Sequence, residues 1–254
     1  MQDIYAFDVG DFGKFGLLGH LMAGAPSLNL GVFWYATNLG TASADGKHLS
    51  YLGDDESQLT PRVRLFSDCD AEMFSAFRRA VSGSRSIASL ERLGLLPRDR
   101  TGFWSTPVGA AEDREKWFAE GGDAVRNCDV VFCDPDNGIA KPESRLETTK
   151  SQRHVLLNEL KALSDVGHGL VVYHHLGRQP GGHEAEIGTW LVRLREALRT
   201  DVVAARFRRG TSRAFFVAKG SRAPTLCERL ASLAGTPWVR HRHMELYVPG
   251  IGYA

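Results

Sequence analysis

Two carboxylates and an amide follow directly after an apolar run near the middle of the chain. Residues 130–133 are apolar, and the next five are Asp134, Pro135, Asp136, Asn137 and Gly138. The run predicts a buried strand, and the residues after it predict a tight turn at the strand's carboxyl end. Open α/β sheets bind their ligands at that edge. Because carboxylates are costly to bury unless a cation or a hydrogen-bond donor meets them, we expect this loop to form a wall of an active site.

The acids of this loop are suited to two kinds of chemistry. Asp134 and Asp136 carry the oxygen ligands that Mg²⁺ and Mn²⁺ prefer, so they are candidate metal ligands. Asp134 and Asp136 are alternatively able to position an amine nucleophile. A third interpretation is structural, since Asp-Pro and Asn-Gly are strong turn formers. We favour a functional role, because two acids at the end of a strand exceed what a turn requires.

A histidine pair follows a second apolar run. Residues 169–173 predict a buried strand that ends in His174 and His175. Adjacent residues in a strand point in opposite directions, so we expect one of the two to enter the cleft as a general base or metal ligand. The alternative is one buried, hydrogen-bonded histidine and one exposed histidine.

The densest basic cluster surrounds residues 210–212, Gly-Thr-Ser. Guanidinium groups bind phosphate in a bidentate manner, and such a loop offers backbone N–H groups. The candidate phosphate ligands are Arg178, Arg209 and Arg213. A solvated hairpin with extended arginines is the alternative.

Asp11 and Lys14 lie in the segment Gly-Asp-Phe-Gly-Lys, residues 10–14. They could present a cation, or the first turn of a helix, to an anion. The spacing is not that of a P-loop. The alternative is a helix start that packs closely through Gly13 and Gly16.

Helices and strands alternate along the chain. Helices are predicted at 11–24 (capped by Asp11), 70–81, 87–93, 113–127, 151–163, 184–199 and 224–234. Strands are predicted at 30–36, 130–133, 169–173, 202–208 and 214–218, with 38–60 mostly loop and 98–112 irregular. This order predicts a Rossmann-like α/β fold, with a mostly parallel sheet, helices on both faces and an antiparallel hairpin at one edge. We expect one domain over 1–254, with a helical insertion at about 40–127.

The composition narrows the class of protein. The 31 basic and 30 acidic residues nearly cancel, so any nucleic-acid site must be a local patch. The four cysteines show no CxxC pairing and fit a reducing cytoplasm. No apolar span approaches 18 residues and no signal peptide is recognisable, so we expect a cytoplasmic protein without a membrane partner.

With this order of elements, the chain resembles class I methyltransferases, and most closely the large-subunit rRNA adenine-N6 methyltransferase family. Residues 10–18 occupy the place of that family's Gly-Asn-Phe-Ala-Asp-Val-Leu-Lys segment, and residues 134–137 the place of its Asp-Pro-Pro-Tyr. Residues 173–175 stand where it has a Trp-Tyr pair, and residues 214–217 resemble its last strand. The likeness covers most of the chain in element order and few residues in identity. Similar bacterial proteins without an assigned activity also carry the two motifs found here at residues 10–14 (Gly-Asp-Phe-Gly-Lys) and 134–138 (Asp-Pro-Asp-Asn-Gly).

The resemblance implies an enzyme that acts on a nucleotide or nucleic acid with S-adenosylmethionine as cofactor. Asp134 and Asn137 would orient the acceptor. The family's Gly-x-Gly cofactor loop is absent and only Gly40 is nearby, so Trp34, Thr37 and Asn38 would hold the cofactor in a non-standard way.

Residue chemistry favours an alternative, a metal-dependent phosphodiesterase or nuclease. Asp134 and Asp136 would bind Mg²⁺ or Mn²⁺, a histidine of the 174–175 pair would act as base or ligand, and arginines would hold phosphate. The second alternative is a non-catalytic nucleic-acid-binding module on the same scaffold.

Overall fold

The computed structural model describes residues 1–37, 48–53, 59–141 and 152–250. Within these ranges, seven strands form one sheet in the order β2-β1-β3-β6-β8-β7-β9, and two short strands, β4 and β5, pair separately. The strands are β1 (Leu30–Trp34), β2 (Thr101–Trp104), β3 (Val130–Asp134), β4 (Gly138–Ile139), β5 (His154–Val155), β6 (Gly169–His175), β7 (Val202–Phe207), β8 (Arg213–Ala218) and β9 (Met244–Tyr247).

The strand directions define where a ligand can bind. The neighbours β2, β1, β3 and β6 pair in parallel, whereas β8 pairs antiparallel with both β6 and β7, and β9 pairs antiparallel with β7. The chain leaves β1 toward β2 on one side and returns to β3 on the other side. The order of the strands therefore reverses between β1 and β3, and a crevice is expected outside the carboxyl ends of these two strands.

Helices cover both faces of the sheet, as predicted. They are α1 (Val9–Met22), α2 (Pro61–Ser67), α3 (Ala71–Ala80), α4 (Ile87–Arg92), α5 (Arg114–Val125), α6 (Leu157–Asp165), α7 (Gly182–Leu198), α8 (Leu226–Ser232) and α9 (Pro237–Arg240). One apolar core lies between the sheet and the group α1 to α4, α8 and α9. A second core lies against α5 to α7. The α/β, Rossmann-like class predicted from the alternation of elements is confirmed.

Alternation along the strands decides which side chains face α1. Phe132 and Tyr173 belong to the core on the α1 side, while Cys133 and Val172 belong to the other core. Since Asp134 follows Cys133, its side chain returns to the α1 face. Trp34 of β1 is the register partner of Asp134 and also faces α1.

Helix α1 packs close to the sheet because glycines recur along one of its faces. A Cβ at Gly13 would lie 2.9 Å from the ring of Phe207, and a Cβ at Gly16 would lie 2.1 Å from the ring of Trp238. Each helical glycine is less favourable than alanine by about 1 kcal/mol. Because Gly13 and Gly16 have no side chain, α1 can approach Phe207 of β7 and Trp238 of α9 closely. This agrees with the close-packing interpretation of the two glycines.

Three predictions about the elements are wrong. Helix α1 begins two residues before Asp11, because the Asp8 carboxylate accepts hydrogen bonds from the backbone N–H groups of Gly10 and Asp11. The segment 98–112 is not wholly irregular, since it contains the edge strand β2, which is short and only half-buried. The predicted helix 151–163 begins later, at Leu157, because the preceding residues form β5 beside β4.

The insertion and the hairpin also differ in detail from the prediction. The insertion between β1 and β3 contributes β2 to the sheet in addition to its helices. The β7–β8 hairpin lies one strand inside the sheet, because β9 occupies the edge. None of the helices in the described ranges combines the length and the apolarity that a membrane span requires.

Candidate functional site

A pocket of about 340 Å³ lies over the carboxyl ends of β3 and β6, beside the first turn of α1. This position is the crevice predicted from the reversal of strand order. Its volume is at the lower end of the range for small-molecule sites. We call it the switch-point pocket; it is lined by Met1, Tyr5, Asp8, Asp11, Lys14, His48, residues 134–137, Arg153, Tyr173, His175, Thr211 and Arg213.

The floor of the pocket is a buried lysine between two buried aspartates. The Lys14 Nζ lies 2.8 Å from Asp134 Oδ2 and 3.0 Å from Asp11 Oδ1. The same Nζ lies 5.9 Å from the ring centre of Trp34 and 5.1 Å from that of Tyr173. The two sequence motifs 10–14 and 134–138, which are 120 residues apart at this contact, therefore meet in one ion-pair cluster.

The electrostatics of the cluster keep the lysine charged. Burial alone would lower the pKa of Lys14, but Asp11 and Asp134 outweigh it and raise the pKa above its ordinary value. Burial raises the pKa of Asp11 to about 7, although Lys14 opposes this shift. Burial likewise raises the pKa of Tyr173 to about 12, so its hydroxyl stays protonated. The floor thus presents one permanent cation and a carboxyl group, Asp11, that titrates near neutral pH.

Two polar atoms at the pocket have neither a hydrogen-bond nor an ion-pair partner among the described residues. They are Asp134 Oδ1 and Arg213 Nε, and both residues are at most 4 % exposed. An acceptor and a donor that are buried without partners each cost about 1–3 kcal/mol. A ligand that supplies an N–H group to Asp134 and an oxygen to Arg213 would remove both penalties.

Arg213 is held over the first turn of α1. Its Nη2 donates to Thr211 Oγ1 at 2.6 Å, and its guanidinium lies against the backbone of Gly10. A Cβ on Gly10 would lie 1.6 Å from Arg213 Nη1, so only glycine permits this arrangement. The pocket therefore contains a fixed guanidinium, which favours an anion, beside the amino end of α1, whose first N–H groups are already capped by the Asp8 carboxylate.

The second acid of the 134–138 loop ties two neighbouring segments together. Asp136 Oδ2 accepts a hydrogen bond from Gln2 Nε2 and lies 3.9 Å from Arg153 Nε. Asn137 is exposed, and its backbone N–H donates to the carbonyl of Arg153 at 2.8 Å. Asp136 thus positions the wall of the pocket, while the Asn137 side chain is accessible to a ligand.

The histidine pair divides between the two faces of β6. His174 Nδ1 accepts from the backbone N–H of Ile139 at 3.0 Å, which places its proton on Nε2, 3.4 Å from Glu186 Oε1. It packs against Trp190 and supports the loop from behind. His175 lines the pocket, where partial burial and the charge of Arg213 lower its pKa. Of the pair, the geometry makes His175 the candidate acid or base.

Several predicted ligands lie elsewhere. Arg178 is exposed and does not line the switch-point pocket. Arg209 turns away from the pocket, because its Nε donates to His243 Nδ1 at 2.7 Å and its Nη2 donates to the carbonyl of His241. Asn38 lies outside the described residues.

The residues predicted to hold the cofactor do not line the pocket. The side chain of Trp34 is buried and its Nε1 donates to Glu91 Oε1 at 3.0 Å. The backbone N–H of Thr37 donates to the carbonyl of Met1 at 3.1 Å, and the carbonyl of Ala36 accepts from Val108 at 2.8 Å. Neighbouring segments thus occupy the backbone groups of Ala36 and Thr37, whereas the Thr37 Oγ1 is buried without a hydrogen-bond partner among the described residues.

The candidate metal ligands do not fit a divalent cation either. Asp134 Oδ2 is paired with Lys14, and Asp136 Oδ2 with Gln2 and Arg153. In the parts of the chain that the structure describes, no three His, Cys, Asp or Glu side chains are placed to hold a metal ion. The Lys14 ammonium takes the position beside Asp134 that a metal would need.

Six residues that line the pocket were not predicted as site residues: Met1, Tyr5, Asp8, His48, Arg153 and Tyr173. Thr211 was already part of the predicted phosphate-binding loop. For Tyr173 a signal was present, because it shares a strand face with His175. Asp8, His48 and Arg153 carry no local pattern and reach the pocket only through the tertiary fold.

No protein-family model matches the chain, and no curated protein matches it either. The function is therefore argued from the geometry of the pocket and from the order of the motifs.

Proposed function

We propose that the protein is a methyltransferase-like enzyme whose switch-point pocket binds a nucleotide, either free or as part of a nucleic acid. The observation that carries the proposal is the unpartnered Asp134 Oδ1 at the floor of the pocket. Its other oxygen is fixed by Lys14, so Oδ1 is an oriented, buried acceptor that has no hydrogen-bond partner among the described residues. An amino-bearing base such as adenine or cytosine supplies the missing N–H donor.

The opposite side of the pocket suits the phosphate of the same ligand. Arg213 is fixed by Thr211, and its Nε has no partner among the described residues. His175 lies beside it at the rim. Guanidinium and imidazole groups both donate to phosphate oxygens. With Asn137 also accessible, the pocket can recognise a base at one end and a phosphate at the other.

The resemblance implies that the amino group is methylated. The meeting of the residue 10–14 and 134–138 motifs at the Lys14–Asp134 contact supports this likeness. Because Trp34 Nε1 and the backbone groups of Ala36 and Thr37 have partners within the protein, we assign residues 34–37 no part in methyl transfer. The residues of the pocket would bind the nucleotide, orient its amino group through Asp134, and exclude water from the buried floor.

The metal-dependent nuclease is less well supported, because its two candidate ligands are already engaged by Lys14, Gln2 and Arg153. The non-catalytic binding module predicts the same nucleotide binding and differs in having no turnover. Titrations that include metal and cofactor separate the three hypotheses.

Calorimetric titration with adenosine and cytidine 5′-monophosphates tests the proposal. We expect binding to the wild type, and a loss of about tenfold or more in Asp134→Asn, which exchanges a carboxylate oxygen for an amide. Asp165→Asn, an exposed substitution on α6, is the matched control. Circular dichroism of each variant reports whether the fold is retained.

Separate titrations with S-adenosylmethionine and Mn²⁺ identify the reaction. Binding of S-adenosylmethionine without Mn²⁺ supports methyl transfer, and Mn²⁺ binding that Asp136→Ala abolishes supports the nuclease. If neither nucleotide binds the folded wild type, or if Asp134→Asn binds them as tightly as the wild type, the proposed function is wrong.

A further inference from the structure

An arginine surface lies on the same edge of the sheet as the switch-point pocket. Because β7 runs parallel to β3 and β6, the turn after β7 lies at the edge where β3 delivers Asp134. Arg208 is exposed on this turn, and Thr211, three residues further on, lines the pocket. The two features are therefore contiguous.

Three segments converge to form this surface. The backbone N–H of Arg208 donates to the carbonyl of His243 at 2.9 Å, which brings the β7–β8 turn against the residues before β9. His243 Nε2 lies 3.3 Å from the carbonyl of Leu65, which brings α2 to the same place. We call the exposed residues of these segments the arginine surface: Arg62, Arg64, Arg208 and Arg242.

Arg62 and Arg208 of this surface lie close enough to Arg209 to repel its guanidinium. Burial, followed by repulsion from Arg62 and Arg208, lowers the pKa of Arg209 beside them. Within the described ranges, no carboxylate lies within 4 Å of the guanidinium groups of Arg62, Arg208 or Arg242 in an ion pair. Asp68, the residue that follows α2, pairs with His241 at 3.6 Å.

Such a concentration of charge is unexpected for this composition. The whole chain carries a net charge of only +1, so a cluster of arginines that has no carboxylate partner among the described residues is a local feature of one edge. Unneutralised like charges destabilise the folded protein, and a polyanion would relieve this repulsion. Several arginines contributed by three separate segments suit a row of phosphates better than a single anion.

We propose that the arginine surface binds the phosphodiester backbone of a single-stranded nucleic acid whose adjoining nucleotide enters the switch-point pocket. A base can reach a pocket of this kind only when it is unstacked, which favours a single strand over a duplex. The inference rests on the proposed function in that it takes the pocket as the nucleotide site. It adds that the substrate is a strand rather than a free nucleotide.

Fluorescence anisotropy of a labelled single-stranded oligonucleotide of roughly a dozen nucleotides tests the inference at several salt concentrations. We expect Arg62→Ala/Arg208→Ala to weaken binding several-fold at low salt. Each lost phosphate contact lowers the slope of log affinity against log salt by about 0.7, so the double variant should lower it by about 1.4. The matched control is Arg79→Ala/Arg126→Ala, two exposed arginines away from this surface, which should leave the slope unchanged.

Four results would overturn the inference: no oligonucleotide binding by the wild type at low salt, an unchanged slope in the Arg62/Arg208 variant, an equal loss in the control, or tighter binding of a duplex or of polyglutamate. These results are distinct from a failure of the proposed function. Mononucleotide binding without oligonucleotide binding would refute only the arginine surface. Salt-dependent oligonucleotide binding through that surface, without mononucleotide binding, would refute only the pocket's role.

Discussion

Replacement of Lys14 by methionine tests the buried cluster that organises the site. Methionine is unbranched and fills a similar space, so the change chiefly removes the ammonium. Asp11 and Asp134 are left buried beside each other, with side chains 1 % exposed and without the cation 2.8–3.0 Å away. Breaking a buried ion pair by removing one partner costs about 3–5 kcal/mol.

Lys161→Met provides a matched control. Lys161 pairs with Asp165 at 2.7 Å, but the two side chains are 49 % and 58 % exposed. An exposed pair of this spacing is worth about 0.3–0.5 kcal/mol. Both variants remove one lysine and one ion pair, so their difference reports the effect of burial.

Equilibrium unfolding in urea measures both variants. With a slope of about 2 kcal/mol per molar urea, a loss of about 4 kcal/mol lowers the midpoint for Lys14→Met by about 2 M. The loss should shrink in acid, because protonation removes the repulsion between Asp11 and Asp134. A midpoint for Lys14→Met within the shift of the Lys161→Met control would refute the reasoning.

Three further comparisons test the electrostatics and packing of the site. The pKa of Asp11 is about 7 in the folded protein against an ordinary value of 3.8, so the stabilising contribution of Asp11 is present below about pH 4 and is lost toward pH 7. In urea titrations, the difference in stability between the wild type and Asp11→Asn should therefore fall over that interval. A constant difference would contradict the shift. Gly10→Ala should displace the Arg213 guanidinium that packs over Gly10, and so weaken nucleotide binding in calorimetry. Gly19→Ala lies in the same helix but has open space around it, so it should raise stability by about 0.5–1 kcal/mol. Equal behaviour of the two variants would argue against the packing of Arg213 on Gly10. His174→Ala should lower the midpoint of thermal unfolding. His175→Ala should chiefly weaken nucleotide binding. The reverse pattern would show that the roles of the two histidines are exchanged.

The sequence predicted the edge of the sheet at which the switch-point pocket lies, because an apolar run followed by Asp134-Pro135 is typical of a strand that ends at the carboxyl edge of an α/β sheet. It also predicted that only one histidine of the 174–175 pair would enter the cleft. The side-chain alternation of β6 places His175 there. The same rule, applied from Phe132, would have placed Asp134 on the α1 face.

Long-range contacts account for what the sequence did not predict. The pairing of Lys14 with Asp134 depends on how closely α1 approaches the sheet, which glycines permit but do not specify. The assignment of Asp136 as a metal ligand assumed that its carboxylate was free, and only the tertiary structure brings Gln2 and Arg153 to it. Likewise, Arg209 belongs to the basic cluster in sequence, yet His243 draws its guanidinium away from the pocket.

The most direct test of the proposed nucleotide site compares ligands that differ only in the group facing Asp134. Calorimetric titration of the wild type with adenosine against purine riboside monophosphate, and with cytidine against pyrimidin-2-one riboside monophosphate, removes the amino donor and leaves the neighbouring ring nitrogen unprotonated. A buried acceptor left without a donor costs about 1–3 kcal/mol, so we predict that the amino-bearing member of the pair that binds is favoured by about 5- to 150-fold. Equal affinity within both pairs, tighter binding of the ligands that lack the amino group, or no binding of any of the four would contradict the assignment of Asp134 as the acceptor for the base.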